Sequence, residues 1–585
     1  MKTIVFLIIF LFDLITNANN VSSIVDKKTV GIKMKDGIFL STDIYFPADL
    51  SKKIPVVLIR TNINKNSIGF LPYYFINNGY AVAVQDVRGR FESEGVWEPY
   101  VYEAEDGYET IEWLASQDWC NKKIGMLGGS YSAVVQLLTA KLKPPHLSAI
   151  IPHNLPADPF KNAPYENGIL LLAPEMWWVY LIESNLKDYN DPVAIRESHK
   201  VKDDTNLFSL PVNKIPEKII GKEISYWQKW LEHNTNDDYW QNISYQESLR
   251  KLDIPILLFS GWYDTHSIGT KLAWQEISKS QNKNVKLIIG PWNHSNSVPK
   301  YPSTKTVGTE ATLDILNIFL KWFDHWLKDV DNEITNEPKT KLYVMNNASW
   351  IKSDSYPLEN TDYIPIYLNS NKGSNSLLGD GKLVWSIPDQ EKEYDEYLYN
   401  PADPTPAFLY RNSQGRKKSD EITASRNDIL VFESEPLDTH MIVLGPLTAK
   451  LFASSSNVDT DWFINFYAVN EKNEYMPLTH GCIRARFRNS ITESEFLEEN
   501  KVYEYEIDLW QIGIKLERSF FRLKLKNMCL QREVKRMECA LYRRFWKENK
   551  KSLGPIFGKL CRKLPRCLRK EQLFLFFQIF IQKIF

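Results

Sequence analysis

Residues 123–141 read Lys-Ile-Gly-Met-Leu-Gly-Gly-Ser-Tyr-Ser-Ala-Val-Val-Gln-Leu-Leu-Thr-Ala-Lys. An apolar run, Lys123–Leu127, meets a glycine pair, then Ser130 and Tyr131, then a helical pattern over Ser132–Lys141. Glycines permit the tight backbone that a strand needs to turn straight into a helix. Such a turn leaves Ser130 at the strand's carboxyl end. A serine there is on its own a plain turn residue as readily as a nucleophile, so its meaning depends on what else reaches the same edge.

Five further runs, Pro55–Ile63, Tyr80–Val87, Leu147–Pro152, Pro255–Ser260 and Val285–Gly290, are almost continuously apolar and rich in Val, Ile and Leu. Strands buried on both faces of a parallel sheet have this composition. Helical patterns such as Glu103–Ala115 lie between them. The alternation predicts a doubly wound, mostly parallel α/β sheet, whose chemistry gathers beyond the carboxyl ends of its strands. Two more residues stand there: Asp264 after Phe259-Ser-Gly-Trp-Tyr263, and His294 after Ile289-Gly-Pro-Trp-Asn293. A nucleophilic serine needs a base, and the base needs a carboxylate to fix its tautomer. The chain order Ser130, Asp264, His294 is that of α/β-hydrolases.

The chain has 585 residues, 43% of them hydrophobic, 24% charged and 13% aromatic, which excludes a disordered, collagenous or coiled-coil protein. Its length suggests about three or four domains. A net charge of −1 excludes a global basic field and argues against a nucleic-acid partner. The balance hides an asymmetry, because residues 511–585 hold 20 Lys and Arg against 5 Asp and Glu. At the other end, Met1-Lys2, the run Ile4–Ile15 interrupted by Asp13, and Thr16-Asn-Ala18 have the form of a secretory signal peptide cleaved after Ala18. A membrane anchor is the alternative, but the run is short of the roughly 20 residues a spanning helix needs. Sequons at Asn20, Asn242, Asn293 and Asn347 fit a secreted, extracellular chain. Cys120 and Cys482 lie far apart, and Cys529, Cys539, Cys561 and Cys567 fall in the basic tail. None has zinc-type spacing, so neither a metal nor another cofactor is expected.

The segments Gln85-Asp-Val-Arg-Gly-Arg-Phe-Glu-Ser-Glu-Gly95, Glu105-Asp-Gly-Tyr108, Glu112-Trp-Leu114, Gln117-Asp-Trp-Cys120 and Gly125–Tyr131 resemble the cocaine-esterase and X-prolyl dipeptidyl-peptidase group of serine hydrolases. Pro144-Pro-His-Leu147, Gly261-Trp-Tyr-Asp264 and Gly290-Pro-Trp-Asn-His294 continue the likeness, which spans about residues 28–510. The resemblance implies an α/β-hydrolase domain (26–335) with an inserted helical cap (157–247), then a jelly-roll-like β-sandwich (338–510). It implies Ser130 as nucleophile, His294 as base, Asp264 as its orienting acid, and the Tyr131 N–H as one oxyanion donor. Three departures stand out. Ala133 replaces the last glycine of the family's Ser-Tyr-x-Gly elbow. Ile63 occupies the place of the tyrosine that gives the family its second oxyanion donor, leaving Asn62 or Asn64 to substitute. Thr265-His-Ser267 replaces the acidic residues that hold a substrate ammonium in the amino-ester hydrolases, which makes a free α-amino substrate less expected.

In the cap, Trp177 and Trp178 are candidates for an apolar substrate pocket, with Trp262 beside Asp264; packing within the cap's own core is the competing reading. From Thr340 onward, short runs such as Leu342–Met345, Ile364–Leu368, Ile429–Glu433 and Ala449–Ala453 between turn residues predict the sandwich. It looks truncated, since the family pattern stops after Leu509. The tail 511–585 is then an aberrant appendage, a basic segment meeting an anionic membrane, or a helical extension. Three functions stay open: a secreted serine hydrolase of a small ester or amide, an X-prolyl dipeptidyl-peptidase acting on short peptides, and a hydrolase-fold binding protein whose site has decayed. Homo-oligomers are compatible with each.

Overall fold

The computed structural model describes residues 26–184, 191–296, 298, 307–359, 361–388, 394–401, 403–405, 426–472, 475–517, 519–526, 569–573 and 578–584. The expected signal peptide, Asn20 and tail residues 527–568 lie outside them. In chain order the strands are β1 (Asp26–Lys33), β2 (Phe39–Phe46), β3 (Ile54–Thr61), β4 (Ala81–Asp86), β5 (Cys120–Gly129), β6 (Leu147–His153), β7 (Tyr165–Glu166), β8 (Ile169–Leu170), β9 (Ile256–Tyr263), β10 (Val285–Asn293), β11 (Thr340–Val344) and β12 (Ser349–Ser353). The C-terminal part adds β13 (Thr361–Asn369), β14 (Lys382–Val384), β15 (Asp395–Tyr399), β16 (Ile429–Ser434), β17 (Met441–Ser455), β18 (Asp461–Val469), β19 (Tyr475–Arg484), β20 (Tyr503–Leu516), β21 (Phe520–Lys526), β22 (Arg569–Leu573) and β23 (Gln578–Ile584).

Ten strands form one sheet in the order β1-β2-β4-β3-β5-β6-β9-β10-β11-β12. Neighbours from β4 across to β11 are parallel, and antiparallel strands complete both edges. Every residue of β3, β4 and β9 is buried, which explains their continuous apolar runs. Alternate side chains feed opposite layers: Val56 and Leu58 join one core, Val57 and Ile59 the other. Helices Glu103–Ala115 and Tyr131–Lys141 cover the first layer, and Ile315–Lys328 the second through Phe319, Trp322, Phe323 and Leu327. Gly125 lets that last helix approach, since a Cβ there would sit 2.5 Å from Phe323. Between β6 and β9 the chain leaves the sheet and forms the cap, with helices Leu172–Glu183, Pro192–Ser198, Ile215–Ile220, Ser225–Glu232 and Asp238–Asn242. The chain is thus an α/β hydrolase with an inserted cap and a C-terminal β-sandwich, as the sequence predicts.

Three placements differ from the sequence-based expectation. Leu342–Met345 does not open the sandwich: β11 pairs in parallel with β10 and enlarges the hydrolase sheet, so that sheet extends beyond residue 335. A single apolar run says that a strand is buried but not which sheet takes it. The sandwich boundary expected at 510 falls inside β20, and β21 follows it. Ile512, Ile514 and Leu516 alternate into the core, as do Phe521, Leu523 and Leu525. On β21 the other alternate positions are Arg522, Lys524 and Lys526, so counting charge over the tail hid a strand. The sheet also takes β22 beside β15 and β17, and β23 between β13 and β17, so tail backbone fills places where the sandwich looked truncated.

The third is Trp262. It is 2% exposed, donates its indole N–H to the Tyr343 carbonyl at 2.7 Å, and packs on Gly513, where a Cβ would sit 2.6 Å from the ring. It forms the seam between hydrolase and sandwich rather than a substrate pocket. Removing so large a buried side chain typically costs about 3–5 kcal/mol. Trp262→Ala should therefore unfold at markedly lower urea concentration than the parent protein. An unchanged unfolding midpoint would contradict this placement.

Candidate active site

Ser130 follows β5 with φ 57° and ψ −122°, and the next residue starts the helix Tyr131–Lys141. A non-glycine residue with positive φ is strained by roughly 1–3 kcal/mol and persists only where its surroundings impose it. Those surroundings are visible. A Cβ on Gly128 would lie 2.5 Å from Ser132 Cβ, and one on Gly129 would lie 2.2 Å from His153 Cε1. The Ser130 N–H donates to the His153 carbonyl at 3.1 Å. Ala133 is fully buried on the helix, so its methyl fits where the family has glycine.

Tyr131 anchors the turn from below. Its hydroxyl donates to Glu103 Oε1 at 2.7 Å and accepts from the Trp97 indole and the Tyr100 N–H, both at 3.2 Å. Glu103 also pairs with Arg60 Nη1 at 2.9 Å, and Arg60 donates through Nε to Gln85. Burial raises the Glu103 carboxyl overall, against the pull of Arg60 and the Tyr131 bond. Ser132 Oγ donates to the Arg60 carbonyl at 2.7 Å, which ties the first turn of the helix to the end of β3.

Asp264 and His294 come from the ends of the adjacent strands β9 and β10. His294 Nδ1 lies 2.7 Å from Asp264 Oδ1. The fully buried carboxylate also accepts from Ser260 Oγ at 2.9 Å and the His266 N–H at 3.0 Å. Burial would raise Asp264, but the charge and hydrogen bond of His294 outweigh it and hold it below the usual range. For His294 burial acts downward, yet the Asp264 charge and hydrogen bond win and raise it above 6.5. Its carbonyl is fixed by Asn154 Nδ2 at 2.6 Å, and its side chain keeps 38% exposure. Among the described residues the Ser130 hydroxyl has no hydrogen-bond partner.

Sequence reasoning missed two further histidines. His266 Nδ1 lies 2.8 Å from Asn162 Oδ1, with its ring edge-on to His294 at 5.0 Å. His153 stacks on Phe319 and presses against Gly129. Burial pushes both down to about 4, so both are neutral near pH 7. Their signal was present, since each stands at or just past the end of a predicted strand.

The two oxyanion candidates separate clearly. Asn64 caps the short helix Lys65–Ile68, its Oδ1 accepting from Asn66 N–H at 2.9 Å. Asn62 directly follows β3, is 4% exposed, and its Nδ2 is buried without an acceptor among the described residues. A buried NH2 group without a partner is costly. Ile63 is partly buried and contributes only its backbone, donating to Thr61 Oγ1. Of the cap tryptophans, Trp178 packs on Trp97, Tyr226 and Trp230, above the elbow. Trp177 turns the other way, stacking on His199 and donating to Ser198 Oγ. Among the described residues no cluster of three His, Cys, Asp or Glu could hold a metal ion, and no helix is long and apolar enough to cross a membrane.

Residues 36–296 match the family X-Pro dipeptidyl-peptidase (S15 family), and residues 332–518 match the X-Pro dipeptidyl-peptidase C-terminal non-catalytic domain. The cocaine esterase of Rhodococcus sp. (strain MB1 Bresler) is 31% identical over 509 residues, covering 82% of this chain and 86% of that protein. Among solved structures, an aminopeptidase from the marine sediment archaeon Thaumarchaeota archaeon superposes with a TM-score of 0.76 at 22% identity, over 96% of this chain and 97% of that one. An alpha-amino acid ester hydrolase does so with a TM-score of 0.72 at 19% identity, over 97% of each chain. These two show the shared fold. With both domains matched and the esterase likeness running over most of the chain, the protein belongs to the S15 family of serine hydrolases that includes cocaine esterase and the X-prolyl dipeptidyl-peptidases.

Proposed function

We propose that the protein hydrolyses a carboxylic ester or amide through an acyl-enzyme on Ser130. The observation that carries this is the strained serine elbow on the same sheet edge as a buried carboxylate–imidazole pair. Ser130 Oγ attacks the carbonyl carbon as His294 Nε2 takes its proton. Asp264 holds Nδ1 and stabilises the imidazolium. The Tyr131 N–H and Asn62 Nδ2 receive the negative oxygen. His294 returns the proton to the departing alcohol or amine, leaving an ester on Ser130. Water, deprotonated by His294, then releases the acid and restores the serine. No step needs a cofactor. Secretion belongs to the same reading, supported by the N-terminal apolar run and the cleavage site after Ala18. The family match over residues 36–296 favours peptide amides as a second substrate class. A decayed binding protein is disfavoured, since decay would not preserve the elbow and the Asp264–His294 bond together.

Ser130→Ala should lose both turnover and covalent labelling by a fluorophosphonate while keeping the parent's thermal unfolding midpoint. Labelling of another serine in the variant would overturn the assignment. His294 must be neutral to accept a proton, so kcat/KM should rise with pH to a plateau, with its inflexion above the 6.5 of a free imidazole. Asp264→Asn removes the charge that raises His294, so the inflexion should move down while kcat falls by about 10⁴. An inflexion that stays in place would mean Asp264 does not act on the base. Asn62→Ala should lower kcat by about 10²–10³ with KM little changed, the mark of a donor used in the transition state. An unaltered kcat would assign the second oxyanion donor elsewhere.

A further inference from the structure

Two consecutive residues at the end of β6 hold the backbones of both Ser130 and His294. In the sheet β6 lies between β5, which leads to Ser130, and β9, which leads to Asp264. The last residue of β6, His153, accepts the Ser130 N–H on its carbonyl at 3.1 Å. The next, Asn154, gives its own N–H to the Phe259 carbonyl of β9 at 2.8 Å. Its side chain then reaches past β9 to the turn after β10. There Nδ2 donates to the His294 carbonyl at 2.6 Å and to Asn296 Oδ1 at 3.2 Å.

The segment that bears His294 has left its regular sheet pairing. β10 shifts its register against β9 between Gly290 and Asn293. Such a shift bends a strand end and re-aims the side chains beyond it. Gly261 makes room, since a Cβ there would sit 2.0 Å from the Trp292 carbonyl oxygen. Residues 293–296 then close a turn, the Asn296 N–H donating to the Asn293 carbonyl at 2.9 Å. Asp264 holds the His294 ring at Nδ1 alone, a pivot about which ring and backbone can swing together. The Asn154 bond to the His294 carbonyl supplies a second fixed point.

Asparagine suits this place on two counts. The φ of Asn154 is 50°, in the left-handed region that asparagine enters more readily than most residues. Its amide carries two N–H donors, and both acceptors lie on the His294 turn. Asn154 is 2% exposed, and its Oδ1 is buried without a partner among the described residues. An orphaned buried oxygen costs stability that an apolar side chain would avoid. Packing alone is therefore better served by another residue, and what the asparagine adds is the pair of donors.

We propose that Asn154 is a positioning residue, which keeps His294 in place relative to Ser130 by strapping the turn after β10 to the strand end that holds the Ser130 backbone. This rests on the reading of Ser130 and His294 as nucleophile and base. Asn154 touches neither the Ser130 hydroxyl nor the His294 ring; it acts through the His294 main chain. The titratable groups that face the ring are Asp264, His153 and His266, and the two histidines are neutral near pH 7. The titration of His294 therefore reports how well its bond to Asp264 is kept.

The test uses the intact protein and Asn154→Gly, which keeps the left-handed backbone and removes both donors. Active sites are counted by fluorophosphonate labelling carried to completion. Per active site, kcat for a p-nitrophenyl ester should fall by about 10–10²-fold, the scale of a displacement near 1 Å. KM should stay within about twofold, and the rate of labelling should fall as kcat does. By NMR with isotope-labelled histidine, the His294 signal, assigned by its loss in His294→Gln, should titrate lower than in the parent, toward 6.5. A variant with a lower unfolding temperature but unchanged kcat per site and unchanged His294 titration would make Asn154 a structural residue and overturn the proposal. Should the glycine variant not fold, Asn154→Asp is the same size and offers no N–H when ionised. Its kcat per site should then fall by about tenfold or more, and an unchanged value overturns the proposal. If the parent neither labels nor turns over esters, the hydrolase reading fails. The His294 titration then still decides the strap: a downward move in Asn154→Gly supports it and an unmoved one refutes it.

Discussion

The backbone of Ser130 is the constraint on which the rest depends. At φ 57° and ψ −122° it is held rather than preferred. Holding it takes contacts from three directions. Gly128 and Gly129 let the elbow close against Ser132 and His153. The Ser132–Arg60 bond fixes the start of the helix to β3. The buried Arg60–Glu103–Tyr131 chain fixes the next side chain to the helix Glu103–Ala115. A buried ion pair is poor evidence of stability, because desolvation offsets its attraction. Its use here is positional: removing any one member leaves a charge or hydroxyl unsatisfied in the core, so alternative placements of Tyr131 are excluded.

The same arrangement aligns β3 with the elbow. Once Ser132 grips the Arg60 carbonyl, the residue two further on, Asn62, stands just past the strand end. Arg90 takes the Asn62 backbone carbonyl and reaches the cap through Ile182, joining β3, the Asp86–Gly95 loop and the cap helix at one side chain. Ile63 has no side-chain donor, yet the adjoining Asn62 carries a buried amide whose Nδ2 has no acceptor among the described residues.

How much of this was legible in the sequence follows from what each signal encodes. Continuous burial of parallel strands writes itself as apolar runs, so β3, β4, β5, β6, β9 and β10 were visible along the chain, though not their order in the sheet. Strand ends then located Ser130, Asp264 and His294, and chain order linked them. Sheet membership is not written in a run: β11 joined the hydrolase sheet although its composition suits either domain. Alternation with basic residues disguised β21, and Trp262 read as a pocket residue because nearness in sequence to Asp264 says nothing of which side of the sheet a side chain takes.

The three imidazoles around the carboxylate show how one site distinguishes chemically identical groups. His153, His266 and His294 all lose solvation, which alone would drive each of them neutral. Only His294 gains a charged hydrogen bond large enough to reverse the direction, because its Nδ1 reaches Asp264 Oδ1 while the His266 ring is turned to Asn162. With its two neighbours held at about 4, His294 does not compete with another cation for the same carboxylate. A proton arriving in the site therefore has one favoured imidazole. Groups whose environments separate their proton affinities in this way divide acid–base roles between them. Here the division makes His294 the imidazole that takes a proton most readily, while His153 stays neutral against Gly129 and His266 neutral beside Asn162.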